Sequence, residues 1–332
     1  MNARPRVLMS AATRRELADA LAAVQAAAGT FEAVTLDAAR ADGALQVDAA
    51  FISRDITGAS TKTQLGDDLL AAYAVLRRSA RLRWVHTHSA GTDRPIYREL
   101  RARGVTVTTS AGANAAVVAQ TALGGVLALA RRLPQLLQAQ REHRWAPLNL
   151  SGAPPDLAGQ TVVLVGWGTI ARTLQPWLAM LGLHVIVVRR TDEVAALGVP
   201  TLRFDALASV LPQADWLILA CPLNEQTRHL IDAHALQRLK RGAMLVNVAR
   251  GEVVDEGALI ESLRSGQVGG ACLDVFEVEP LLPASPLWRL PQVMVLPHSA
   301  GHAAGNTARV AAIFLHNLER WLRRESLFNE VA

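Results

Sequence analysis

Thr161-Val162-Val163-Leu164-Val165 runs directly into Gly166-Trp167-Gly168-Thr169-Ile170-Ala171. The first run is short, apolar and rich in β-branched residues, the pattern of a strand buried on both faces of a parallel sheet. Helical spacing follows, with Ile170, Leu174, Leu178 and Leu181 on one face, and stops at Gly182. A second apolar run, Val185-Ile186-Val187-Val188, completes a βαβ unit. Between strand and helix the small residues have distinct tasks. Gly166 permits the tight turn. Gly168 lets the backbone approach a pyrophosphate at the partly positive helix N-terminus. Ala171 takes the third position, where close helix–strand packing asks only for a small residue. A glycine pair alone fits a turn in any α/β protein; in this setting it reads as a dinucleotide fingerprint.

The end of the second strand narrows the ligand. Where an Asp or Glu would hold the ribose 2′-hydroxyl of NAD, this chain has Arg189-Arg190-Thr191. Two guanidinium groups and a hydroxyl suit a 2′-phosphate, because Arg makes forked, charge-assisted bonds to phosphate. NADP is therefore favoured, with NAD as the alternative. Asp192 offers a competing carboxylate one step along, and the arginines could also be solvated loop charges.

At 332 residues, 51% of them apolar, the chain has material for two domains with substantial cores. No run is long and apolar enough to span a membrane. Residues 1–6 are a short polar lead without a signal-peptide core, which predicts a soluble cytoplasmic protein. Cys221 and Cys272 lie in apolar strand-like runs and read as small core residues rather than a disulfide or metal site. The net charge of +5 comes almost wholly from Arg, Lys62 and Lys240 being the only lysines. The arginines are scattered along amphipathic helices with no basic block, so they predict solvated faces and anion sites, not nucleic-acid binding. The sequon Asn149-Leu150-Ser151 carries no weight without secretion.

Taken in order, residues 5–108 alternate strands and helices. Strands are expected at 7–9, 31–35, 49–52, 82–88 and 105–108, and helices at 14–28, 69–79 and 95–103. The loop Ser89-Ala90-Gly91-Thr92-Asp93 follows a strand, where open α/β sheets bind ligands, and its N–H groups could hold a carboxylate. An ordinary turn fits the same residues. From Thr109 to about Arg132 runs a helix apolar on all sides, expected to be buried as a packing or dimer helix. Pro134 breaks it, a polar helix covers 135–145, and the proline-rich 146–156 forms an arm. After Arg190 the alternation continues. Helices are expected at 206–211, 232–239, from Asp255 to 265, and at 306–323, the last packing back on the first domain. Strands are expected at 216–220, 243–248, 270–273 and 293–296. The fold class is α/β, two doubly wound Rossmann-like domains.

Three polar residues stand just past apolar strands: Arg250, Glu279 and His298. Each has a structural reading, as a loop arginine, a turn cap before Pro280 and a core histidine. Together, beside a dinucleotide site, they suit one reaction. Hydride transfer from a nicotinamide to a ketone builds negative charge on oxygen. It needs a proton donor near neutral pH, for which His is suited. A carboxylate on the other ring nitrogen would orient the imidazole and favour its charged form. An Arg could clamp a substrate carboxylate and polarise the carbonyl.

At these residues the chain resembles a family. Leu157-Ala158-Gly159-Gln160-Thr161 through Gly168, Asn247-Val248-Ala249-Arg250-Gly251-Glu252-Val253-Val254-Asp255, Leu273-Asp274-Val275-Phe276-Glu277-Val278-Glu279-Pro280 and Leu296-Pro297-His298-Ser299-Ala300-Gly301 are similar to motifs of the D-isomer-specific 2-hydroxyacid dehydrogenases. The resemblance implies Arg250 as the substrate-binding and polarising residue, His298 as general acid/base and Glu279 as its partner. It implies that Asp274 holds the nicotinamide carboxamide, and that Trp167, Thr169, Ile170, Cys221, Pro222, Thr227, Val248, Ala249 and Gly301 line the cofactor with the glycines. It implies that Ser89, Ala90 and Gly91 bind the substrate carboxylate through backbone amides, with no metal. It implies a discontinuous, flavodoxin-like substrate domain, 1–108 plus 299–332, around a dinucleotide domain, 109–298, and a homodimer through the arm near 115–150.

Some details depart from relatives. Gln120-Thr121 stands where many members have Glu-His. Glu279 argues against a formate dehydrogenase, which carries Gln there, and Ala90 against a phosphite dehydrogenase, which carries Lys. Arg189-Arg190-Thr191 resembles the NADP-preferring glyoxylate/hydroxypyruvate reductase branch. Trp288 could reach the substrate pocket across a dimer or simply pack. The expected activity is NADPH-dependent reduction of a small 2-keto acid to a D-2-hydroxy acid. The alternatives are an NAD-dependent enzyme for a larger keto acid and a dinucleotide-sensing, corepressor-like interaction protein on the same scaffold.

Overall fold

The computed structural model describes residues 4–61, 64–150, 152–191 and 193–331, so Lys62, Ser151 and Asp192 lie outside the described residues. The chain divides into two units, Met1–Asn114 with Ala303–Ala332, and Ala115–His302.

The first unit holds five parallel strands: β1 (Arg6–Met9), β2 (Glu32–Thr35), β3 (Ala49–Ile52), β4 (Trp84–Thr87) and β5 (Thr106–Thr109). Their order is β2-β1-β3-β4-β5. Side chains alternate across a sheet, and here both faces are covered. Leu8, Ala50, Ile52 and Val85 pack on one side with Tyr73, Leu76 and Leu100. Val7, Met9, Ala49, Phe51 and Trp84 pack on the other with Phe314 and Leu318 of the helix Asn306–Leu322. The chain's last long helix thus belongs to the first unit, as expected. The Phe314 ring stacks on Phe51 at 4.3 Å between centroids, 9° from parallel. Residues beyond this helix return along the sheet edge, with Val331 N–H donating to Val107 O and Thr109 N–H to Asn329 O. That covers an edge strand which would otherwise offer unpaired backbone groups.

The expected single helix over 14–28 is two, Ala11–Glu16 and Ala18–Ala28, broken at Leu17. Ser10 starts the first by accepting from Thr13 N–H at 2.9 Å, a cap placed earlier than the apolar periodicity suggested.

The second unit has seven parallel strands among its described residues: β6 (Thr161–Val165), β7 (His184–Arg189), β8 (Thr201–Arg203), β9 (Trp216–Leu219), β10 (Ala243–Asn247), β11 (Val268–Leu273) and β12 (Val293–Val295). The order is β12-β11-β10-β9-β6-β7-β8. The chain winds outward in both directions from β6, which puts the switch point between β6 and β9, at the glycine turn. β8, three residues at the edge, was not expected from sequence. On one face Val162, Leu164, Ile218, Val246 and Cys272 lie under the helices Ala115–Ala130 and Thr169–Met180. On the other Val163, Leu217, Leu245, Ala271 and Leu273 meet Leu236, Leu259 and Leu263. The helix Ala115–Ala130 lies so close that a Cβ on Gly125 would come within 2.7 Å of Cys272 Sγ. Both cysteines are core residues, and burial pushes each thiol up to about 12. Arg132, left-handed at φ 49°, turns the chain by 69° into the helix Leu133–Arg141. Among the described residues no single helix is long and apolar enough to cross a membrane.

The sequence placed joints at 108/109 and 298/299; they fall at 114/115 and 302/303. Residues 109–114 stay with the first sheet because Ser110 N–H donates to Thr87 O and Asn329 Nδ2 donates to Thr109 O and Ala111 O. Residues 299 and 300 stay with the second because their N–H groups donate to Asp274.

Phe314→Ala removes the ring shared by Phe51 and Trp84 and should cost about 3–5 kcal/mol in a denaturant titration of the purified protein.

Candidate active site

Strand ends of the second sheet carry most of the residues singled out in the sequence. After β6 the chain turns at Gly166, with φ 103°. A Cβ there would come within 2.7 Å of Ala220 O and 2.8 Å of Cys221 Cα, so both conformation and packing require glycine. Gly168 is different. Its φ is −81°, and a Cβ would meet no atom within 4 Å. Neither backbone nor packing asks for glycine there, whereas a ligand lying against the backbone would. Gly168 is also the N-cap of Thr169–Met180 and brings no side-chain cap, so the helix leaves its first N–H groups for an anion. Cys221, Val248 and Ala249 are buried beside this turn's sheet, while Thr169 and Pro222 are exposed and Trp167 and Ile170 half-buried. These features fit a dinucleotide.

Arg189 closes β7, its side chain 19% exposed. Its guanidinium donates to Glu193 Oε2 at 3.1 Å and Glu193 O at 3.3 Å. Thr191 Oγ1 stands 3.5 Å from the same carboxylate, and Arg190 is exposed. The loop thus has the cations for a 2′-phosphate and, in Glu193, a carboxylate already seated on one of them.

The reacting groups follow β10, β11 and β12, three neighbours in the sheet. His298 Nδ1 lies 2.7 Å from Glu279 Oε2. A carboxylate only accepts, so Nδ1 carries hydrogen and Nε2 faces outward from a ring that is half exposed. Glu279 is itself held, Oε1 accepting from Phe276 N–H at 3.1 Å. His298 is left-handed, φ 50°, a conformation that costs free energy unless its surroundings hold it. Asp274 does so. Its carbonyl accepts from His298 N–H at 2.9 Å, and its Oδ1 accepts from Ser299 and Ala300 N–H at 2.7 and 2.8 Å. Burial pushes the Asp274 carboxyl up, and those two N–H bonds pull it back. Thr121 Oγ1 donates to Ala300 O at 3.1 Å and buttresses this turn.

Arg250 extends from β10 and donates from Nη1 to Ala249 O at 2.7 Å. Its loop lies against the one carrying Glu279. A Cβ on Gly251 would fall 1.8 Å from Phe276 C and 2.0 Å from Phe276 O. Asn247, 1% exposed at the end of β10, accepts from Ala249 N–H and donates to Arg250 O. Neither Gly251 nor Asn247 was singled out for a role. The available signal was an asparagine, a residue sheets avoid, closing an apolar strand.

Other residues take different places. Thr227 is fully buried, donating to Pro222 O at 2.7 Å and accepting from Asn224 N–H at 2.8 Å. Its hydroxyl shapes the loop after β9. Trp288, 51% exposed, donates from Nε1 to Leu282 O at 3.0 Å, so it is not a packed core residue. Gly301 is half-buried in the turn after His298. In the first unit Ser89 Oγ donates to Gly91 O at 2.8 Å, closing the loop after β4, with Ala90 exposed. His86, by contrast with His298, is a core histidine. It bonds Thr108 and Ser110 hydroxyls at 2.8 and 3.0 Å, and burial pushes it down to about 3, leaving the ring neutral. Among the described residues no His, Cys, Asp and Glu cluster could hold a metal.

The family model for the NAD-binding domain of D-isomer specific 2-hydroxyacid dehydrogenases matches residues 123–300. A glyoxylate reductase of Korarchaeum cryptofilum is 34% identical over 258 residues, 76% of either chain. An (S)-sulfolactate dehydrogenase of Chromohalobacter salexigens is 36% identical over 268 residues, 79% of this chain and 82% of that one. A D-isomer specific 2-hydroxyacid dehydrogenase from Xanthobacter autotrophicus Py2, solved with NADPH and MES, is 31% identical with a TM-score of 0.76. That match covers 99% of this chain and 98% of the other.

Asp274 yields a pH-dependent expectation. A carboxyl whose folded pKa lies above its unfolded value of about 3.9 favours the fold below that value and loses the contribution as pH rises through the folded pKa. Asp274→Asn keeps an Oδ1 acceptor for Ser299 and Ala300 without the buried charge. Its melting temperature should equal or exceed that of the parent at neutral pH, the gain vanishing below about pH 4. A lower melting temperature at neutral pH would show that the ionised carboxylate's bonds outweigh its desolvation.

Proposed function

The chain belongs to the D-isomer-specific 2-hydroxyacid dehydrogenases, and on that premise we propose that it is an NADPH-dependent reductase of small 2-keto acids, of the glyoxylate and hydroxypyruvate kind. The observation that carries this reading is the 2.7 Å His298–Glu279 pair at the carboxyl edge of a dinucleotide-binding sheet, beside the loop of Arg250. When bound, the nicotinamide supplies hydride. His298 Nε2 gives a proton to the carbonyl oxygen as negative charge gathers there. Glu279 accepts from Nδ1–H, which fixes the tautomer and the orientation of the ring. Arg250 clamps the substrate carboxylate and polarises the carbonyl, and in the first unit the amides of Ser89, Ala90 and Gly91 are donors suited to a carboxylate. Asp274, with Oδ1 committed to backbone, offers Oδ2 to the carboxamide.

NADP preference rests on Arg189, Arg190 and Thr191, together with the NADPH bound by the Xanthobacter relative. One observation favours the same enzyme using NADH, which is the Glu193 carboxylate seated on Arg189. An exposed pair of this kind is worth at most about 1 kcal/mol, so a phosphate that engages both arginines can displace it. A homodimer is part of the same proposal. Leu133, Leu137, Trp145 and Leu150, on and after the helix Leu133–Arg141, are exposed apolar residues, Trp145 at 93%. The cytoplasmic setting accords with two unpaired core thiols.

His298→Ala should lower turnover about 10²–10⁴-fold with NADPH affinity nearly unchanged, while Arg250→Ala should raise KM and lower kcat together. Loss of NADPH binding in His298→Ala would count against the assignment. Initial rates with NADPH and NADH, each against glyoxylate, hydroxypyruvate, pyruvate and phenylpyruvate, test substrate and cofactor. Fast NADPH oxidation with a small keto acid is expected. Turnover with NADH alone would remove the phosphate argument and leave the catalytic residues standing. Glu193→Gln should tighten NADPH binding in a fluorescence titration and leave NADH unaffected.

A further inference from the structure

Arg250 and Glu279 are carried by separate loops, after β10 and after β11, and reaction geometry depends on holding these loops in register. The backbones touch at Gly251 and Phe276. Two carboxylates then cross between the loops. Glu256 N–H donates to Glu277 Oε1 at 3.3 Å, and Glu277 N–H donates to Glu256 Oε2 at 3.2 Å. A histidine from a third loop closes the set. His229, left-handed at φ 48°, donates from its backbone N–H to Glu252 O at 2.8 Å, and its Nε2 lies 2.9 Å from Glu277 Oε1. Its backbone grips the arginine's loop while its ring grips the glutamate's. Next to it Ile231 N–H donates to Val253 O, and Asp255 N–H donates to Ile231 O.

We propose that Glu277, Glu256 and His229 form a clasp of positioning residues that holds Arg250 and Glu279 in reacting register. Glu277 is its centre, two residues from Glu279, with Oε1 accepting from both other members. None of the three lies on the loop of His298, so the clasp acts through the register of the two loops. A set chosen for stability alone would not place two carboxylates side by side. Burial and the Glu277 charge both push the Glu256 carboxyl up, which is the cost of the arrangement. The backbone bond from Glu277 N–H offsets part of it, and the reciprocal backbone bonds give the crossing a defined geometry.

The inference rests on the roles of Arg250 and Glu279 proposed above, and a double-mutant cycle separates the two. Glu277→Ala should lower kcat/KM for the keto acid about tenfold, mainly through KM, with NADPH affinity within about twofold of the parent. Glu277→Gln, which keeps an acceptor for Glu256 N–H, should recover most of the loss. In an Arg250→Ala background the further change to Glu277→Ala should cost less than about twofold, because the clasp then has no Arg250 side chain to hold in register with Glu279. Should Glu277→Ala fail to fold, His229→Ala and His229→Gln, at a half-exposed site, run the same cycle. Effects of Arg250→Ala and Glu277→Ala that multiply, or a Glu277→Ala enzyme with parental kinetics, would overturn the clasp alone. An Arg250→Ala enzyme with parental kinetics would overturn the role of Arg250 and the clasp with it.

Discussion

The inner strands of the second unit's parallel sheet, buried on both faces, leave polar chemistry few places to go. A parallel sheet hides its strand interiors under helices, so side chains such as Val163, Leu217 and Ala271 on one face and Leu164, Ile218 and Cys272 on the other have no freedom to be polar. Every strand then releases the chain at the same edge. The glycine turn after β6, Arg189 on β7, Arg250 after β10, Glu279 after β11 and His298 after β12 are consequences of that one constraint. The glycine turn and the charged residues share an edge because the strands are parallel, not because any pair of them is close in sequence.

Within that edge, Asp274 ties the end of β11 to the turn that carries His298. It stands at the end of β11, buried, and spends one carboxylate oxygen and its carbonyl on three successive N–H groups of the turn 298–300. Those bonds hold His298 in a left-handed conformation that few non-glycine residues adopt, with the ring turned to Glu279. A buried carboxyl resists ionisation, and two backbone donors on one oxygen are the structure's answer. The His298–Glu279 pair therefore depends on a residue that acts through the backbone of the turn.

The dinucleotide loop shows the opposite economy. Arg189 is largely covered, but its partner Glu193 is 75% exposed, and such pairs contribute little. A loop held this weakly is easily re-paired by a ligand carrying more charge.

Much was legible in the sequence because backbone periodicity and glycine chemistry are local. The βαβ unit around Gly166, both doubly wound sheets, the core placement of Cys221 and Cys272, and the position of Arg250, Glu279 and His298 at strand ends all follow from patterns within about twenty residues. Short elements without strong periodicity were not legible, among them β8 and the early cap at Ser10. The partners of the Thr227 hydroxyl were not legible either, because they are set by the fold around it. The sequence by itself determined the fold class, the dinucleotide turn and the types of group available for catalysis. Only the tertiary structure decided which of them meet. The contacts of His298 with Glu279, Gly251 with Phe276, and Glu277 with both Glu256 and His229 join loops 19 to 48 residues apart, and a spacing in sequence does not set a distance in space.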